Sequence, residues 1–197
     1  MNPQPDPAAA PVGRSVPVLN PANALTGVRI VLIPVFLALT VASHLTQPHL
    51  RMVACVVFAV ASVTDLVDGW VARTWDLVTA FGKVADPIAD KALTGTALVL
   101  LSWYGHLTWW VTAVIVVREL GVTVLRFGVI RREVIVASWG GKAKTLLQIL
   151  AISWYLWPFP AALNYIGAFV MFAAVIVTLV TGADYAVRAF RRRRADR

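Results

Sequence analysis

The stretch Asp65-Leu66-Val67-Asp68-Gly69-Trp70-Val71-Ala72-Arg73, followed after eight residues by Gly82-Lys83-Val84-Ala85-Asp86-Pro87-Ile88-Ala89-Asp90, decides how the rest of the chain is read. Four aspartates stand here in otherwise apolar sequence. An ionised residue in an apolar span costs about 2.5–3.5 kcal/mol on insertion scales, so each one marks a functional position by default. Asp65 and Asp68 are spaced i,i+3, and Asp86 and Asp90 i,i+4, which sets each pair on one face of a helix. The loop between the two segments is short. It predicts antiparallel neighbouring helices whose acidic faces meet.

The surroundings of the motif are those of a membrane protein. Of 197 residues, 59% are hydrophobic and only 14% charged, with a mean hydropathy of +0.73. Soluble domains carry about 25% charged residues. At roughly 20 apolar residues per crossing, the length suits about six transmembrane helices and one domain. The spans read as 22–42, 50–73, 79–103, 108–130, 138–157 and 161–190, giving an all-α polytopic fold. Residues 1–17, rich in Pro and Ala, read as a disordered leader, 18–190 as the transmembrane domain and 191–197 as a polybasic tail. The first apolar run contains Arg29 and is too long for a signal peptide, which predicts an uncleaved first helix.

Charge distribution gives the orientation. The net charge of +8 would suit nucleic acid, but the basic residues lie between apolar spans and in the run Arg191–Arg194. Juxtamembrane clusters of this kind meet anionic lipid head groups and fix topology, so no nucleic-acid partner is expected. Arg14, Arg73, Lys83, Arg126, Arg131, Arg132, Lys142, Lys144 and the arginines from Arg188 onward fall on one side. Arg51 alone falls on the other, beside turns marked by Trp103, Trp109, Trp110, Trp154 and Trp157. The positive-inside rule then puts both termini and the acidic motif at the cytoplasmic face of the cell membrane. His44, His49 and His106 fall at the outer loops and are assigned no chemistry. The single cysteine, Cys55, reads as a small buried hydrophobe.

Four converging carboxylates in a low-dielectric site repel one another, and two divalent cations supply the compensating charge. Oxygen donors without Cys or His select Mg²⁺, Mn²⁺ or Ca²⁺ over zinc. Carboxylate-held metal pairs suit phosphoryl transfer, because they stabilise attacking and leaving oxygens together. The alternative is a set of helix-end salt bridges to Arg73, Lys83 and Lys91. Gly69, Ala72 and Gly82 lie one turn from the aspartates and form a small-residue strip, open either to a ligand or to close helix packing. Arg73, on the face of Asp65 and Gly69, can bind phosphate bidentately or anchor the helix at the head groups.

The two segments together match the signature DxxDGxxAR(x8)GxxxDxxxD at every fixed position, and the chain from about Leu19 onward resembles the CDP-alcohol phosphotransferase family. The resemblance implies a CDP-linked lipid donor, a two-metal site holding Mg²⁺ or Mn²⁺, and CMP as leaving group. It implies that Asp65, Asp68 and Asp86 are metal ligands, and that Asp90 is both ligand and base. It further implies that Gly69 and Arg73 contact the cytidine diphosphate, with Ala72 and Gly82 beside them, and that the protein is a homodimer.

The acceptor has to be read elsewhere. Arg118, Glu119, Arg126, Arg131, Arg132, Lys142 and Lys144 form a dense basic patch near the motif, as an acceptor that itself carries phosphate requires. Arg118 lies within an apolar span and needs a partner, which Glu119 can supply in part. Leu19-Asn-Pro-Ala-Asn-Ala-Leu-Thr-Gly-Val-Arg29, the Arg118-Glu119 pair and Ser138-Trp-Gly-Gly-Lys142-Ala-Lys144-Thr145 resemble the phosphatidylglycerophosphate synthase branch of the family, in its actinobacterial form. Ala22 departs from it, where many members carry Pro. This branch implies transfer of the phosphatidyl group from CDP-diacylglycerol to sn-glycerol 3-phosphate, with Arg118, Arg126, Lys142 and Lys144 on the acceptor phosphate. A phosphatidylinositol-phosphate synthase or a CDP-alcohol-type cardiolipin synthase shares the chemistry. A cation transporter would instead place acidic residues near the midplane, with broken helices or repeat halves.

Overall fold

The computed structural model describes residues 20–75, 79–129 and 139–195, all of them helix, turn or connecting loop. Among these residues there are six α-helices and no strand. The first, α1 (Pro21–Ser43), starts where the side chain of Asn20 accepts from the Asn23 N–H at 2.9 Å, with Pro21 opening the helix. It stops at His44, whose φ of 47° is left-handed and whose N–H reaches the Val41 carbonyl. The connection to α2 (Pro48–Thr74) is therefore short, and the two helices pack closely as a hairpin.

Helix α3 (Ala80–Trp103) is capped by Thr79, whose hydroxyl accepts from the Gly82 N–H at 3.0 Å. After it Gly105 takes φ +75°, a conformation that suits glycine, and the chain turns into α4 (Trp109–Val129). Then come α5 (Trp139–Leu156), a 3₁₀ turn over Ala161–Leu163, and α6 (Asn164–Ala195). The helix limits expected from sequence hold within two residues through α5. The sixth begins later, because Pro158 and Pro160 precede a 3₁₀ turn. It also runs on through residues 191–195, where the sequence suggested a separate tail.

Phe36 and Phe58, with ring centroids 5.6 Å apart, join Leu98, Leu101, Ile115, Ile152 and Met171 in one buried core shared by all six helices. Arg51 closes the far end of α5, donating to the carbonyls of Tyr155 (2.9 Å) and Leu156 (3.2 Å), the unpaired acceptors of a helix C-terminus. Segments of α1 (Asn23–Ser43), α2 (Pro48–Trp70) and the last element (Ala161–Val187) are long and apolar enough to cross a membrane.

The expected face-to-face packing of the two acidic helices is not what joins them. Contact between α2 and α3 is slight, whereas α1 packs against both. The reason is steric and electrostatic at once: two acidic faces repel, and α1 brings Thr26 and Arg29 between them.

Candidate active site

Thr26 and Arg29 lie one turn apart on α1 and face the acidic motif. The Arg29 guanidinium, fully buried, donates from Nη1 to Asp65 Oδ1 and from Nη2 to Asp68 Oδ2. The Thr26 hydroxyl donates to Asp86 Oδ1 at 2.6 Å and lies 3.5 Å from Asp68 Oδ2. One helix face thus ties down three of the four aspartates. Asp65 also feels the charges of Asp68, Asp86 and Asp90, so all four carboxylates share one electrostatic site. Arg29 is the residue that sequence reasoning missed. Its signal was present, a cation inside an apolar span, but it served there only against a cleaved leader and as the end of a family-like stretch, with no place in the site.

Of the salt-bridge partners weighed for the motif, only Lys91 is described with its side chain. Lys91 Nζ stands 3.8 Å from Asp90 Oδ2, and the side chains of Arg73 and Lys83 lie outside the described residues, as does that of Ala72. Gly82 is buried. A Cβ there would meet Asn23 Oδ1 at 3.2 Å, Thr79 Oγ1 at 3.3 Å and Asp86 Oδ2 at 3.5 Å. Its smallness lets α1 and α3 approach, rather than leaving open surface. Gly69 follows Asp68 within α2 and is half-buried.

A cleft opens beside Asp90, lined also by Lys91, Glu119, Lys144, Thr145 and Gln148. Glu119 organises its basic side. It accepts from Lys144 Nζ at 2.5 Å and from Arg118 Nη1 at 2.9 Å, and lies 3.8 Å from Lys91. Lys144 is therefore delivered to the cleft with Asp90. Arg118 is not: its Nη2 donates to Thr181 of α6 at 2.6 Å, and its Cγ sits 3.1 Å from where a Cβ on Gly182 would be. Lys142 is exposed near the start of α5. The side chain of Arg126, and Arg131 and Arg132 entirely, fall outside the described residues.

The donor set fits hard divalent cations: four carboxylates and a hydroxyl, with no nitrogen or sulfur ligand among the described residues. The acidic side chains are not drawn into a ligand cage, however. Among the described residues no three of them stand at ion-holding separation. The Arg29 guanidinium takes an oxygen of Asp65 and an oxygen of Asp68.

The sequence that builds this site has relatives among known proteins. Residues 19–180 match the sequence profile of the CDP-alcohol phosphatidyltransferases, and the chain belongs to that family. It is 49% identical over 174 residues to a probable phosphatidylglycerophosphate synthase of Mycobacterium tuberculosis, covering 88% of this chain and 83% of that protein. It is 36% identical over 172 residues to the CDP-diacylglycerol–glycerol-3-phosphate 3-phosphatidyltransferase of Salmonella typhimurium, covering 84% and 92%. The protein of that name from Shigella flexneri is similar to the same degree.

Proposed function

We propose that this protein transfers the phosphatidyl group of CDP-diacylglycerol to sn-glycerol 3-phosphate, giving phosphatidylglycerol phosphate and CMP. The observation that carries this reading is the joint opening of Asp90 and Lys144 into one cleft beside the aspartate site. A base and a phosphate-binding cation are there within reach of one small acceptor. The names of the relatives point to the same acceptor.

In this mechanism Asp90 takes the proton of the glycerol 1-hydroxyl, and that oxygen attacks the lipid-side phosphorus in line. The bond from that phosphorus to the bridging oxygen breaks, and CMP leaves. Lys144 and Lys142, with Arg126, hold the acceptor phosphate and turn an encounter into an oriented approach. Arg118 serves from behind, by fixing Glu119. Gly69, Ala72, Arg73 and Gly82 border the cytidine diphosphate. Asp65, Asp68, Asp86 and Asp90 would hold two divalent cations, Mg²⁺ or Mn²⁺, which neutralise charge on the phosphoryl oxygens.

The catalytic unit is residues 18–190, six membrane-spanning helices in a homodimer, with both termini and the site at the cytoplasmic face of the cell membrane. Charges interrupt the apolar runs of α3 (Asp86, Asp90, Lys91), α4 (Arg118, Glu119, Arg126) and α5 (Lys142, Lys144). Their outward residues are apolar nonetheless: Val117 is 69% exposed and Leu150 60%, a surface suited to lipid.

The test is direct. Purified protein given CDP-diacylglycerol and Mn²⁺ releases CMP with glycerol 3-phosphate and not with inositol 3-phosphate. Absence of CMP release with glycerol 3-phosphate would overturn the proposal.

A further inference from the structure

We infer that Arg29 is a resident counter-ion of the aspartate site, competing with divalent cations for Asp65 and Asp68 and so setting how tightly the site takes them. The inference rests on the metal-dependent reading above and concerns this chain's own guanidinium. Three observations carry it. Arg29 is fully buried, so its charge has no solvent to retreat to. Two of its nitrogens are spent on Asp65 and Asp68, while its Nε, also buried, has no hydrogen-bond partner. Its fork is therefore aimed at the carboxylates alone. Finally, no three acidic side chains among the described residues stand at ion-holding separation, and Thr26 separately holds Asp86.

A cation and Arg29 thus draw on the same carboxylates. Even if the cation used the other oxygen of each aspartate, a unit charge a few ångströms away would oppose it in this low-dielectric setting. Both effects have the same sign: Arg29 weakens cation binding while keeping the carboxylates compensated when no cation is bound. A purely structural Arg29, needed to orient the ligands, would have the opposite signature. Its removal would loosen cation binding.

Mn²⁺ titration followed by electron paramagnetic resonance, on full-length protein in detergent without lipid substrate, separates the two. Arg29→Gln is expected to bind Mn²⁺ at least about tenfold more tightly than the wild type, within what loss of a neighbouring unit charge allows. It is also expected to melt lower in EDTA, with a larger Mn²⁺-induced rise in Tm. Arg29→Lys keeps the charge but cannot bridge both carboxylates, so it should fold where the glutamine variant fails, and bind Mn²⁺ with intermediate tightness. Unchanged or weaker binding in whichever variant folds would overturn the inference while leaving the metal-dependent reading standing. Failure of Mn²⁺ to bind even the wild type would overturn both.

Discussion

Asp90 has 36% of its side chain exposed, against 3% for Asp68. That difference suits the roles proposed for them. A buried carboxylate tied to Arg29 is poorly placed to meet a soluble alcohol, whereas Asp90 faces the cleft. Replacing Asp90 by Asn should abolish CMP release while leaving the melting temperature and the binding of CDP-diacylglycerol near wild-type. Residual turnover above about one part in a hundred would refute its role as base, since general-base catalysis contributes roughly 10²–10⁴-fold. Lys144 and Arg118 share Glu119 but should part company when replaced. Lys144→Met should raise KM for glycerol 3-phosphate by about 10–100-fold, the value of a charge-assisted hydrogen bond of roughly 1.5–3 kcal/mol. Arg118→Met should act chiefly on stability, visible in the melting curve, because its guanidinium joins α4 to α6 through Thr181 rather than lining the cleft. Steady-state kinetics beside thermal denaturation distinguishes the two outcomes.

Between helices, Gly167 of α6 is packed closely against Trp154 of α5. A Cβ on Gly167 would lie 2.5 Å from Trp154 Cδ1. The ring cannot step aside: it stacks on Phe159 at 4.3 Å, and its Nε1 donates to the Leu163 carbonyl at 3.2 Å. Gly167→Ala should therefore cost about 1–3 kcal/mol, as overpacking does, lowering Tm without altering KM for either substrate. The helices themselves were largely legible in the sequence, since each is written as an apolar run ended by Pro, Gly or a polar cap. The aspartate motif was legible too, because its spacing fixes helix faces. What could not be read was which helix lies alongside those faces. Thr26 stands 60 residues before Asp86, and no local pattern records that they touch. Nor does any local pattern record that the Arg118 guanidinium, grouped by sequence with the basic patch, reaches Thr181 of α6, 63 residues later.

For the molecule as a whole, the predictions concern charge and orientation. EDTA should abolish activity, and Mn²⁺ or Mg²⁺ should restore it, as measured by CMP release. On the proposed topology, six crossings with the basic flanks inside, a reporter fused after Arg197 should be active only in its cytoplasmic form. The hairpin of α1 and α2 carries a further consequence, for how the chain enters its membrane. Arg29 lies roughly 12 Å along α1, at 1.5 Å per residue from Pro21. Its carboxylate partners are synthesised 36 and 39 residues later. While the first helix emerges alone, that charge has nothing to neutralise it in hydrocarbon. The nascent chain therefore has reason to hold its first segment at the insertion machinery until the second arrives, and to release the two into the bilayer together.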